Sequence, residues 1–131
     1  MAQMKKKVSA VKKVKKTYDE GIICIRAEYN NTIVTLTDME GRVIGWSSPG
    51  MNGFKGSRQS TPYAGQVSAE KVCEKALACG MQQVKIQIKG PGGSREQAIR
   101  GIINSGLEIT EVVDLTNLPH AGCKSKRVRK V

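Results

Sequence analysis

Both ends of this chain lack acidic residues. Residues 1–16 carry seven lysines and no acid, and residues 120–131 carry five cations and no acid. Aromatic residues are scarce too: Tyr18, Tyr29, Trp46, Phe54 and Tyr63 are all there are. No strand-like segment holds paired aromatics, so base stacking on an RNA-recognition-motif sheet is excluded as the main binding mode. There is one histidine, His120, and no C-x-x-C pair among Cys24, Cys73, Cys79 and Cys123. His120 with Cys123 supplies only two neighbouring ligands, which does not make a zinc site, so no metal or cofactor is expected. No long apolar run follows the N-terminal lysines, which argues against a secretory signal, and no stretch approaches membrane-spanning length. Unpaired thiols without an export signal suit a reducing compartment, and the expected location is cytoplasmic, with an organelle left open.

What is present is charge, unevenly placed. The net charge is +11, yet residues 17–119 hold ten cations and eleven acids. The chain therefore reads as a basic arm at 1–16, a near-neutral domain at 17–119 and a basic tail at 120–131. Such arms bury too little apolar surface to fold alone and are expected to order on assembly. A solubilising role is the bland reading. The functional reading is a footprint for a polyanion, since lysines beside phosphates release condensed counterions. A membrane surface fits less well: Val8, Val11 and Val14 are the arm's only valines, and no aromatic anchors them.

Between the arms, patterning predicts an α/β domain. Gly21–Tyr29 reads as a strand, Asn30-Asn31 as a tight turn, and Thr32–Thr37 as a second strand of period two. A turn at 38–41 leads to a third strand, Arg42–Ser47, completing an antiparallel meander. Residues 48–60 have no apolar period and read as a loop. Thr61-Pro62 opens a helix with an N-cap and a first-turn proline, its buried stripe being Ala69, Val72, Cys73, Ala76 and Leu77, and Gly80 stops it. A fourth strand holds Val84, Ile86 and Ile88. Ser94 and Gln97 suggest a capping box for a second helix with an apolar face of Ala98, Ile99, Ile102 and Ile103. Gly106 ends it, and Leu107, Ile109, Val113 and Leu115 carry a fifth strand. The order is β-β-β-α-β-α-β, a single domain with a five-stranded mixed sheet and two helices.

Two loops precede helices and carry cations. Residues 89–96, KGPGGSRE, place glycines between Lys89 and Arg95 at a helix N-terminus, where backbone N–H groups can meet phosphate. A nucleotide P-loop needs Gly-Lys-Ser/Thr after the glycines, and a dinucleotide site needs G-x-G-x-x-G; neither is here. Residues 50–61, GMNGFKGSRQST, repeat the arrangement with Lys55, Arg58 and hydroxyls. Either loop alone could be a plain turn. Two such loops with two basic arms point to an extended ligand, a nucleic acid. Both helices are mixed in charge, so no recognition helix for duplex DNA is evident. Backbone and shape recognition of folded RNA remains.

Four blocks, YNNTIVTLTDMEGRVIGWSS, GFKGSRQSTPYAGQVSAE, KGPGGSREQAIRGI and PHAGCKSKRVRKV, resemble the universal small-subunit ribosomal protein eleven family in its bacterial form, over about residues 21–131. The resemblance implies a ribonuclease-H-like fold and a structural, non-enzymatic place in the platform of the small subunit. There the protein would bridge rRNA helices and help line the cleft for the messenger's Shine–Dalgarno helix. Platform proteins seven and eighteen would be neighbours, with initiation factor three nearby. Carried over by position, rRNA contacts would come from Asn52, Gly53, Lys55, Gly56, Ser57, Arg58, Ser60 and Thr61. The second group is Lys89, Gly90, Gly92, Gly93, Ser94 and Arg95. The tail adds His120, Gly122, Lys124, Lys126, Arg127, Arg129 and Lys130, and the arm Lys5, Lys6, Lys7, Lys12, Lys13, Lys15 and Lys16. The tail departs from the family's usual Pro-His-Asn-Gly-Cys-Arg-Pro, with Ala121 in place of the asparagine and Ser125 in place of the last proline. Two other readings of the chain are weighed beside it. A two-metal nuclease would need converging carboxylates, with Asp38 and Asp114 as the strand-end candidates. A DNA-compacting protein would share the charge argument and bind duplex DNA equally well.

Overall fold

The computed structural model describes residues 17–130, so the lysines at 5–16 lie outside the described residues. Five strands, β1 (Glu20–Ala27), β2 (Thr32–Thr37), β3 (Val43–Ser47), β4 (Gln83–Lys89) and β5 (Glu108–Asp114), form one sheet in the order β3-β2-β1-β4-β5. β1–β2 and β2–β3 pair antiparallel, whereas β1–β4 and β4–β5 pair parallel. Helices α1 (Pro62–Ala78) and α2 (Arg95–Asn104) make the two crossovers. This is the mixed α/β domain expected from the patterning.

Period-two alternation divides the sheet into a covered and a bare face. Ile23, Ile25, Val34, Leu36, Val84, Ile86 and Ile88 join Ala69, Val72, Cys73, Ala76, Ala98 and Ile102 in one buried cluster. Each large aliphatic side chain there contributes about 1.5–3 kcal/mol on burial. Both helices therefore lie on this one face. They also pack against each other closely, because Gly101 has no side chain: a Cβ there would stand 2.9 Å from the Gln66 carbonyl oxygen. On the other face Trp46, Thr35, Cys24, Gln87 and Val113 run side by side across the five strands, and no helix among the described residues covers them.

Several details differ from the patterning. β1 stops at Ala27, because Glu28 to Asn31 closes the turn through the Glu28 N–H to Asn31 carbonyl bond of 2.8 Å. β3 begins at Val43 rather than Arg42, whose N–H is taken by the Asp38 carboxylate at 2.8 Å. β5 covers Glu108–Asp114 and leaves Leu107 and Leu115 just outside. Leu77 and Ile103 face outward, being 50% and 56% exposed, since the helix–helix seam uses the small residues Gly65, Ala69 and Gly101 instead. Residues 48–60 are more ordered than a loop: they form two 3₁₀ turns, Pro49–Asn52 and Gly56–Ser60.

The capping box at α2 does not form. Ser94 has helical φ and ψ and makes no side-chain cap bond. Its hydroxyl is instead buried against the Thr32 hydroxyl under the β1–β2 turn. Thr61, by contrast, caps α1 as expected, accepting the Ala64 N–H at 3.4 Å, an arrangement typically worth about 1 kcal/mol.

The sheet has two unlike ends. At the upper end lie the carboxyl ends of β1, β4 and β5, the amino ends of α1 and α2, the 3₁₀ turns and the start of the tail. At the lower end the described chain enters at Thr17, beside Asp19, Glu20 and the 38–42 turn.

Candidate nucleic-acid interface

Both cationic loops named from the sequence come to the upper end, as does the root of the tail. In open α/β sheets this is the end where ligands bind, because loops there can vary without disturbing the core.

In the first loop, Lys55 precedes the 3₁₀ turn Gly56–Ser60, and the Arg58 N–H donates to the Lys55 carbonyl at 3.2 Å. Lys55, the extended N-cap of this turn, and Arg58, inside it, are joined by that bond into one short cationic ridge. Both are exposed, and neither is paired with an acid among the described residues. Gly53 (φ 86°) and Gly56 (φ 58°) provide the left-handed bends on either side of Lys55. Asn52 points inward, its amide donating to the Ser47 hydroxyl and the Ser48 carbonyl at 3.1 Å each. Ser60 and Thr61 turn their hydroxyls onto the carbonyls of Ser57 and Arg58, at 3.0 and 2.7 Å. Phe54 meets Tyr63 edge to face at 5.9 Å and ties the loop to α1. The ridge is held from below.

In the second loop the glycines serve a different purpose from the one their position suggests. Gly92 is buried, and its N–H donates to the Ala27 carbonyl at 2.9 Å, so it does not face a ligand. A Cβ on Gly90 (φ 105°) would lie 2.2 Å from the Ala27 oxygen, and one on Gly92 2.6 Å from the Glu28 oxygen. These two glycines let the turn pack directly on the end of β1. Ser94 is buried as well. Lys89 and Gly93 remain exposed.

Arg95 is only partly exposed, because its guanidinium pairs with Asp114 at the end of β5. The Thr116 hydroxyl donates to the same carboxylate and the Thr116 N–H does so at 3.0 Å. These bonds, led by the Thr116 hydroxyl and followed by Arg95, hold the Asp114 carboxyl down to about 2. The Gly90 N–H donates in turn to the Thr116 hydroxyl oxygen at 3.3 Å. The tail is thus stitched to the glycine turn at its root. Beyond it, His120, Gly122, Lys124, Lys126, Arg127, Arg129 and Lys130 are all exposed. Ala121 has φ 59°, a left-handed conformation that asparagine or glycine tolerates better than alanine.

Sequence reading missed the Arg95–Asp114–Thr116 connection and the Lys55–Arg58 ridge. The first carried a local signal, an aspartate two residues before a threonine, which is a turn pattern. The second depended on a 3₁₀ turn that glycine content concealed.

The model of the family "Ribosomal protein S11" matches residues 21–130. The chain belongs to the ribosomal protein S11 family. It is 45% identical to the small ribosomal subunit protein uS11 of Cellvibrio japonicus, over the full length of both chains. It is 46% identical to that of Desulfotalea psychrophila, covering 95% of this chain and 98% of the relative. It is 47% identical to that of Polynucleobacter asymbioticus, covering 93% and 90%. Membership makes it a ribosomal protein of the small subunit, working in translation, and RNA binding is implied by the family.

The nuclease reading lacks its geometry. Asp38 follows β2 at the lower end and is spent on its own turn, while Asp114 closes β5 at the upper end against Arg95. Two carboxylates a sheet's length apart cannot share metals about 4 Å from each other. Burial raises the pKa of Cys24 and, more elaborately, of Cys73, where desolvation outweighs a hydrogen bond with Ser105. Such thiols are poor nucleophiles at neutral pH. No helix among the described residues is long and apolar enough to cross a membrane.

Proposed function

We propose that this protein is a non-enzymatic structural constituent of the small ribosomal subunit, which binds and bridges rRNA helices of the platform beside the Shine–Dalgarno cleft. The observation that carries the reading is that the Lys55–Arg58 ridge, Lys89 and the root of the basic tail lie at one end of the sheet, in a chain of the ribosomal protein S11 family. Asn52, Gly53, Gly56, Ser60, Thr61, Gly90, Gly92 and Ser94 support this surface, while Ser57, Gly93, His120 and Gly122 lie on it. Lys124, Lys126, Arg127, Arg129 and Lys130 reach beyond it, and the lysines at 5–16 add to the same attraction. Arg95 fixes the turn through Asp114 and keeps part of its guanidinium for phosphate. Platform proteins seven and eighteen are the expected neighbours, with initiation factor three close by.

Sedimentation of the native protein from lysate tests this. It is expected to travel with the small ribosomal subunit at low salt and to leave it only at high salt. A protein that stays at the top of the gradient at both salts overturns the reading.

A further inference from the structure

A cleft of about 370 Å³ opens on the bare face of the sheet, under the β1–β2 turn. It lies outside both cationic loops. Its floor holds Ile33 and Arg26, paired side by side on β2 and β1, and Lys89 on β4, beside Arg26 in the register, lies just beyond the lining. Tyr29, 77% exposed, forms one wall, and Asn30 and Asn31 the rim. Among the described residues the Asn30 amide makes no hydrogen bond, and the Asn31 amide uses only its oxygen, on the Thr32 N–H at 2.9 Å. The rim therefore keeps unused donors and acceptors. Glu28 also lines the cleft, but its carboxylate is matched by the Arg26 Nε at 2.8 Å. Lys89 is exposed and unpaired among the described residues, so the local balance is positive.

An exposed tyrosine, an isoleucine floor, amides able to donate and accept, and one free cation suit a flat heteroaromatic ring carrying a phosphate. Glu28, which lines the cleft, also meets the glycine turn, because Gly90 and Gly92 seat that turn on Ala27 and Glu28. An RNA strand lying along the upper end passes its mouth. We infer that this cleft takes one unpaired nucleotide of the bound RNA, its base against Tyr29 and Ile33 and its phosphate toward Lys89. The inference rests on the rRNA-binding reading and deepens it.

The probe is an RNA hairpin carrying a single bulged 2-aminopurine, compared with the same stem fully paired. The full chain is expected to bind the bulged form roughly tenfold tighter and to quench its fluorescence, as aromatic stacking of one base does. Tyr29→Ala is expected to abolish both effects and to leave the salt dependence unchanged, since no phosphate contact is removed. Tyr29 is too exposed for its loss to unfold the chain. Equal binding of the two RNAs by the wild type, or a preference that survives Tyr29→Ala, overturns the inference. If Tyr29→Ala is silent while Lys55→Ala/Arg58→Ala flattens the salt dependence, the cleft fails and the rRNA reading stands. Should the wild type bind neither RNA, both fall together.

Discussion

The N–H of Gly92 donates to the carbonyl of Ala27, and between them no side chain fits. That bond joins the turn before α2 to the end of the central strand, and it decides how the upper end is built. Gly90→Ala, with a Cβ 2.2 Å from the Ala27 oxygen and a φ of 105°, is expected to cost more than about 2 kcal/mol. Gly93→Ala, with open space around it, is expected to be nearly neutral. Urea denaturation of the two variants checks the contrast.

The buried pair Thr32 and Ser94 predicts a double-mutant result. Thr32→Val or Ser94→Ala alone strands the other hydroxyl in the core and is expected to cost about 1–3 kcal/mol. The double variant removes both hydroxyls and is expected to cost less than the sum. Additive losses in the same denaturation series would show that the two hydroxyls do not act as a pair.

Asp114 sets a pH dependence. Its folded pKa, about 2, is below the ordinary carboxylate value, so its contribution is complete above about pH 4 and is lost as pH falls toward 2. Because the carboxylate is exposed, the contribution is modest. Asp114→Asn is expected to remove the part of the stability change that falls in this window, read from thermal unfolding between pH 4 and 2. Carbon NMR of the Asp114 carboxyl should give the low midpoint directly.

Charge contacts predict salt slopes. Lys55→Ala/Arg58→Ala is expected to reduce the log–log salt slope of RNA binding by about 2, and deletion of 124–131 by about 3–4 if most of its five cations meet phosphates. An unchanged slope after the deletion would make the tail a solvated bystander.

The fold was legible because periodicity carries it: alternation in 84–88 and the Thr61-Pro62 start are local signals, and the structure uses both. The errors arose where packing overrode local pattern. Ser94 and Gln97 have the spacing of a capping box, yet the hydroxyl turns to Thr32, 62 positions away. Leu77 and Ile103 fit an apolar stripe, yet glycine and alanine bring the helices so close that the larger residues are left outside. At the interface, the charges could be seen in the sequence but their partners could not. Arg95 meets Asp114 only because β5 returns beside β4.

The domain is entered at its lower end, at Thr17, and left at its upper end, after Asp114. β1 alone, with its eight residues, separates these points by roughly 25 Å. The two lysine-rich stretches of sequence are thus joined to opposite ends of a rigid strut. Two attachments on one stiff body raise each other's effective concentration only when the partner presents its sites at that spacing. A polyanion with the correct spacing is then favoured by avidity over one of equal charge and different shape, so a stretch of sequence with little specificity of its own gains it from the length of the sheet.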